Sequence, residues 1–178
     1  MAKIRFATVW LDGCSGCHMS FLDMDERLIE IASKVEVVCS PYVDMKEFPE
    51  NVDLALIEGA VSSEEDVEKL RKIRKNTKIV VAFGDCAVTG NVSAMRNNYG
   101  VEAALKHAYD NLSDHNTGAR PCRVVPKQLD RVSALHEQVK IDYFLPGCPP
   151  PADAIYNILT SLIEGKEPNV FDHTRFGK

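Results

Sequence analysis

The stretch Ile4-Arg5-Phe6-Ala7-Thr8-Val9-Trp10-Leu11, followed at once by Asp12-Gly13-Cys14-Ser15-Gly16-Cys17, decides how the rest of the chain is read. Its first part is a near-continuous apolar run, the mark of a strand buried on both faces of a parallel sheet. Cysteines then fall just past its end. The same pairing recurs twice, with Ile79 to Phe83 leading into Gly84-Asp85-Cys86 and Ile141 to Leu145 leading into Pro146-Gly147-Cys148. Similar runs at Val35 to Cys39 and Leu54 to Ile57 complete the set of expected strands.

Helical patterns fill the gaps. Phe21, Met24, Leu28 and Ala32 recur at helical spacing and predict one amphipathic helix between the first two strands. Ser62 with Glu65 reads as a capping box opening a helix whose stripe is Val67, Leu70 and Ile73. After Pro149 to Pro151, the stripe Ala154, Ile155, Ile158, Leu159 and Leu162 predicts a last helix ending near Gly165. Strands alternating with helices imply parallel pairing through right-handed crossovers. The expected fold is therefore α/β, a three-layer, doubly wound, flavodoxin-like parallel sheet, with residues 1–178 as a single domain. The pattern breaks from Gly84 to Lys140, where turn residues surround short helical pieces such as Val101 to Leu112. So long an excursion is usually functional or an interface.

The chain has 178 residues, 45% of them apolar, and a net charge of -5, which argues against a phosphate-binding surface and so against nucleic acid. No apolar run approaches the roughly 20 residues that span a bilayer, and no export signal is evident, so no membrane insertion and a cytoplasmic location are expected. In that reducing compartment six cysteines point to metal ligation rather than to disulfides.

Open parallel sheets bind ligands beyond the carboxyl ends of their strands. That geometry brings Cys14, Cys17, Cys86 and Cys148 to one edge, while Cys39 and Cys122 read as structural. Thiolates are soft ligands that select iron–sulfur clusters or zinc. A structural zinc site commonly uses two close pairs, whereas here the second pair is split far apart in the chain. A redox-active C-x-x-C pair needs no distant partner. Spacing alone leaves an iron–sulfur centre, a zinc-stabilised docking module and a redox pair open. There is no G-x-G-x-x-G or Walker-type loop, so nucleotide binding is not placed on this chain.

Taken together, Trp10-Leu11-x-x-Cys14-Ser15-Gly16-Cys17, Ile57-Glu58-Gly59-Ala60, Gly84-Asp85-Cys86-Ala87 and Pro146-Gly147-Cys148-Pro149-Pro150 resemble the cluster domain of [NiFe]-hydrogenase small subunits. The resemblance covers nearly the whole chain. It implies one [4Fe-4S] cluster on Cys14, Cys17, Cys86 and Cys148, beside a large subunit holding the Ni-Fe centre. The continuation Cys17-His18-Met19-Ser20-Phe21 resembles the short small subunits of cytoplasmic, bidirectional, NAD(P)-reducing enzymes. That subgroup implies diaphorase partner subunits with FMN, NAD and further Fe-S clusters; FMN on this chain would rest on fold analogy alone. Subunits of F420-reducing or sulfur-reducing hydrogenases, and of NADH:quinone oxidoreductase, are similar. The last typically opens with two adjacent cysteines, where this chain separates them by Ser15 and Gly16.

Amides of Gly16, Gly84 and Gly147 are expected to approach cluster sulfur as hydrogen-bond donors, turn geometry being the other reason for glycine there. Ser15 occupies a position where the family often has a proton-relaying hydroxyl, though the same residue could cap the following helix. Glu58 ends an apolar strand, so its carboxylate is expected at the same edge, as a proton carrier, as an acceptor for the Cys14 loop, or on a solvated rim.

Overall fold

The computed structural model describes residues 3–45, 47–111, 120–170 and 174. Five parallel strands form the central sheet: β1 (Ile4–Trp10), β2 (Val35–Cys39), β3 (Val52–Glu58), β5 (Thr77–Phe83) and β7 (Tyr143–Leu145). Their spatial order is β2-β1-β3-β5-β7. This is the doubly wound order of flavodoxin-like sheets, with its switch point beside β1. Side chains alternate between faces along each strand, and both sets are apolar. Phe6, Leu54, Leu56, Val81 and Phe83 pack beneath α1 (Gly16–Leu22), α2 (Arg27–Lys34) and α6 (Ala152–Ile163), where Met24, Ile31, Ile155, Ile158 and Leu159 complete one core. Ala7, Ala55, Ile57, Val80 and Ala82 pack on the other face with Leu70 and Ile73 of α3 (Glu64–Asn76) and with Leu135.

Three expectations need correction. The single helix through Phe21 and Ala32 is two helices, because Asp25 adopts a left-handed conformation (φ 50°) that breaks the spiral and turns Met24 into the core. The capping box sits one residue later than expected: Ser63 Oγ accepts the Asp66 N–H, and Asp66 accepts from the Ser63 N–H. The last strand is shorter than Ile141 to Leu145, since Asp142 substitutes its carboxylate for the ladder and accepts the Val80 N–H at 2.9 Å.

The excursion contributes α4 (Asp85–Thr89), a 3-10 turn over Ser93–Asn98, α5 (Val101–Leu105) and a π-helical turn over Lys106–Asn111. The helical piece expected to reach Leu112 thus changes geometry after Leu105, and Leu112 and Gly118 lie outside the described residues. The excursion returns through β6 (Gln128–Ser133), which pairs antiparallel with β4 (Val61–Ser63) in a ribbon the sequence did not announce. No helix among the described residues is long and apolar enough to cross a membrane.

Charged side chains close the amino edge of the sheet. Asp53 accepts the Arg5 N–H at 2.9 Å and Lys78 Nζ at 2.6 Å. Arg74 reaches Asp142 and the carbonyls of Thr77 and Lys78. Lys78 and the Arg5 amide hold the Asp53 carboxyl below its usual range. A depressed carboxyl contributes stability that is present above its unfolded value, about 3.9, and is lost as pH falls through the folded value. The expected result of Asp53→Asn is a shallower loss of urea stability below pH 4. For Asp66→Ala, which strands the Ser62 and Ser63 N–H groups, urea titration is expected to show a loss of about 2–3 kcal/mol with an unchanged slope.

Candidate metal-cluster site

Register builds the site. Trp10 pairs with Glu58, Glu58 with Phe83, and Phe83 with Leu145, so four strand ends form one row across the sheet. The loops carrying Cys14, Cys86 and Cys148 leave from three of those ends, and Glu58 stands between them. Side-chain and backbone bonds then lace the loops together. The Leu11 N–H donates to the Glu58 carbonyl at 2.9 Å, and Asp12 exchanges two backbone bonds with Ala60. Ser20 Oγ donates to the Pro150 carbonyl at 2.6 Å, tying α1 to the Cys148 loop. The Asp85 N–H donates to the Gly147 carbonyl at 2.9 Å, while Asp85 Oδ1 accepts the Gly147 N–H at 2.7 Å.

The four thiols lie within electrostatic reach of one another. Burial pushes the Cys17 thiol far up; the Glu58 carboxylate and then Cys86, Cys14 and Cys148 add to the shift. Cys86 is raised for the same first reason, with Cys14 and Cys148 next, against a lowering by the Val92 and Ser93 N–H groups. Cys17 and Cys86 face inward, and Cys14 and Cys148 are exposed. The raised Cys17 and Cys86 thiols favour their protonated form until a cationic centre replaces the protons.

Among the described residues, no three His, Cys, Asp or Glu side chains are arranged to hold a single metal ion. A tetrahedral zinc requires its sulfurs about 2.3 Å from one point, whereas a multi-iron core takes each sulfur at a different iron. Four soft donors on three loops, with the side-chain space beside Cys17 cleared at Gly84, fit the larger group.

Of the expected amide donors, Gly16 donates to Cys14 Sγ at 3.4 Å. The other two are corrected: the Gly84 N–H goes to the Leu145 carbonyl and the Gly147 N–H to Asp85. Gly84 is instead needed for space, since a Cβ there would fall on Cys17 Sγ. Ser15 stands at the N-cap of α1 in a left-handed conformation, but its side chain makes no capping bond. Glu58 is not on a solvated rim. It is 2% exposed, and its Oε2 accepts the His18 N–H at 2.9 Å and contacts His18 Nδ1. His18, 1% exposed, was missed as a site residue; the available signal was that a buried carboxylate at a strand end needs donors. Its Nε2 has no partner among the described residues, and its ring packs edge-on to Tyr42 and Phe83.

Cys122 is exposed in the excursion, and Cys39 lies at the end of β2. Cys39 lines a separate cavity of about 810 Å³, together with Trp10, Ser40, Phe48, Lys69 and Lys72.

A doubly wound α/β sheet of this strand order is the fold of a hydrogenase small-subunit-like chain. The fold is matched by a chain of a crystal structure of an NAD+-reducing [NiFe]-hydrogenase in the H2-reduced state, with a TM-score of 0.93 and 43% identity over 98% of this chain and 99% of that one. The chain belongs to the family described as NADH ubiquinone oxidoreductase, 20 Kd subunit, whose model matches residues 14–162. It is 44% identical over 168 residues to the NAD-reducing hydrogenase HoxS subunit delta of Cupriavidus necator, covering 92% of this chain and 80% of that protein. It is 36% identical to a subunit of the F420-non-reducing hydrogenase vhu of Methanocaldococcus jannaschii, covering 94% of this chain but 58% of that one.

Gly84→Ala is expected to lower iron bound per chain well below wild type, because the new Cβ takes the place of Cys17 Sγ. Gly165→Ala shares the positive φ but meets nothing within 4 Å, and is expected to leave iron unchanged. Equal iron in both variants would remove the steric argument.

Proposed function

We propose that this chain is the electron-transfer small subunit of a cytoplasmic NAD(P)-reducing [NiFe]-hydrogenase, with one [4Fe-4S] cluster held by Cys14, Cys17, Cys86 and Cys148. The observation that carries the reading is the gathering of these four thiols from three distant loops at one sheet edge. The higher identity to the NAD-reducing enzyme's subunit, 44% against 36%, favours NAD(P) over the acceptors of the methanogen enzymes. When bound, the cluster supplies one-electron transfer between a Ni-Fe centre in a large subunit and flavin and NAD in diaphorase subunits.

The chain's own residues do the holding. Cys17 and Cys86 grip from the buried side and Cys14 and Cys148 from the exposed side. Glu58 fixes the start of α1 through His18, and so fixes Cys17 beside it. The segments that follow Cys17 and Cys86 expose Met19, Leu22, Val92 and Met95, apolar surface suited to a large-subunit contact. Ser15 and Glu58 are the two residues of this chain assigned to proton movement, with His18 Nδ1 against Glu58 Oε2.

Metal analysis of the anaerobically purified complex tests the reading. Nickel with iron and acid-labile sulfide is the expected composition, and zinc without sulfide overturns it. Cys86→Ser is expected to abolish the full iron content, while Cys39→Ser and Cys122→Ser retain it. Glu58→Gln keeps an acceptor for the His18 N–H, so iron is retained, and hydrogen-dependent dye reduction is expected to fall by about 10²-fold if the carboxylate moves protons. Unchanged turnover confines Glu58 to holding α1.

A further inference from the structure

The chain reverses direction immediately after α4. Gly90 and Asn91 lie consecutively in the left-handed region, at φ 85° and 35°. Glycine enters it without steric cost, and asparagine is among the few other residues that tolerate it. This tight reversal points its donors back at the thiols. The Val92 and Ser93 N–H groups lie on the side of the turn that favours the Cys86 thiolate, against its burial. The Asn91 side chain spans to the other ligand loop, where its Nδ2 donates to Cys148 Sγ at 3.4 Å. The bond to Cys148 comes from a side chain, so a substitution can remove it while leaving the backbone turn in place.

We propose that Asn91 is a positioning residue that sets the reduction potential of the cluster through its N–H bond to Cys148. The inference rests on the ligand set given under Proposed function. Adding an electron increases the negative charge on the sulfurs, and an N–H dipole aimed at sulfur stabilises the reduced form more than the oxidised one. Asn91 therefore raises the potential, and its loss lowers it. Cys148 is one of the two exposed ligands, and the Asn91 bond gives its sulfur a donor fixed by the chain rather than one lent by solvent.

The test is a redox titration of the purified holoenzyme complex, monitored by the electron paramagnetic resonance of the reduced cluster, alongside iron and sulfide content. Two variants suit the left-handed backbone. Asn91→Gly removes the side chain, and Asn91→Asp keeps its shape while replacing the donor with a negative oxygen. Both are expected to retain iron and sulfide. Asn91→Gly should lower the reduced-to-oxidised ratio at fixed applied potential by about tenfold, equivalent to 59 mV for a one-electron couple, and Asn91→Asp should lower it further. A titration curve unchanged in both variants, with iron retained, overturns the role of Asn91 and leaves the ligand assignment standing. Loss of iron from both variants but not from wild type also overturns it, by making Asn91 a residue of cluster retention. A complex in which Cys86→Ser changes neither iron nor signal defeats the ligand assignment itself.

Discussion

Parallel pairing in a single register is the constraint on which this molecule depends. Because Trp10, Glu58, Phe83 and Leu145 share one row, the chain leaves the sheet at the same height each time, and short loops suffice to bring distant cysteines together. The register is enforced on both faces. A slip of one residue on β3 would exchange the places of Leu56 and Ile57 and turn the Glu58 carboxylate to the opposite layer. The core thus specifies the site, and the hydrogen bonds from Ser20 and Asp85 refine a placement the sheet has already made.

The carboxyl edge carries unfavourable electrostatics as a bare polypeptide. Cys17 is buried beside a carboxylate and three other thiols, and every one of those neighbours opposes its ionisation. Such an arrangement adds nothing to folding stability in the absence of a cationic partner. It is a poor place for a redox disulfide pair, whose attacking thiol needs a lowered rather than a raised pKa. Glu58 shares in this balance, being held by the His18 amide and ring rather than by water.

Much of this was legible in the sequence, and the exceptions have physical causes. Continuous apolar runs found every strand of the main sheet, since burial on both faces leaves no polar alternation to confuse with a helix. The ends were less clear where polar residues bound a strand, as Glu58 does at the end of β3 and Thr77 at the start of β5. Asp25 and Asp142 defeated the pattern because each imposes a local geometry through backbone conformation or a side-chain acceptor, which hydrophobic spacing does not register. The β4–β6 ribbon pairs segments distant in the chain, and its short strands carry little periodicity of their own. The cysteines were conspicuous by position. His18 and Asn91 were not, because their importance comes from what faces them: a buried carboxylate in one case and a sulfur on a remote loop in the other.

The two edges of the sheet divide their work. Asp53, Arg74 and Asp142 close the amino edge with ion pairs and strand N–H bonds that involve none of the cysteines. The scaffold is thereby insulated from its own chemistry: exchanging a thiol for another donor at the far edge perturbs loops, not the anchoring of the strands. For a protein engineer this makes the carboxyl edge a cassette, in which alternative ligand sets can be grafted onto a frame whose cohesion is secured elsewhere.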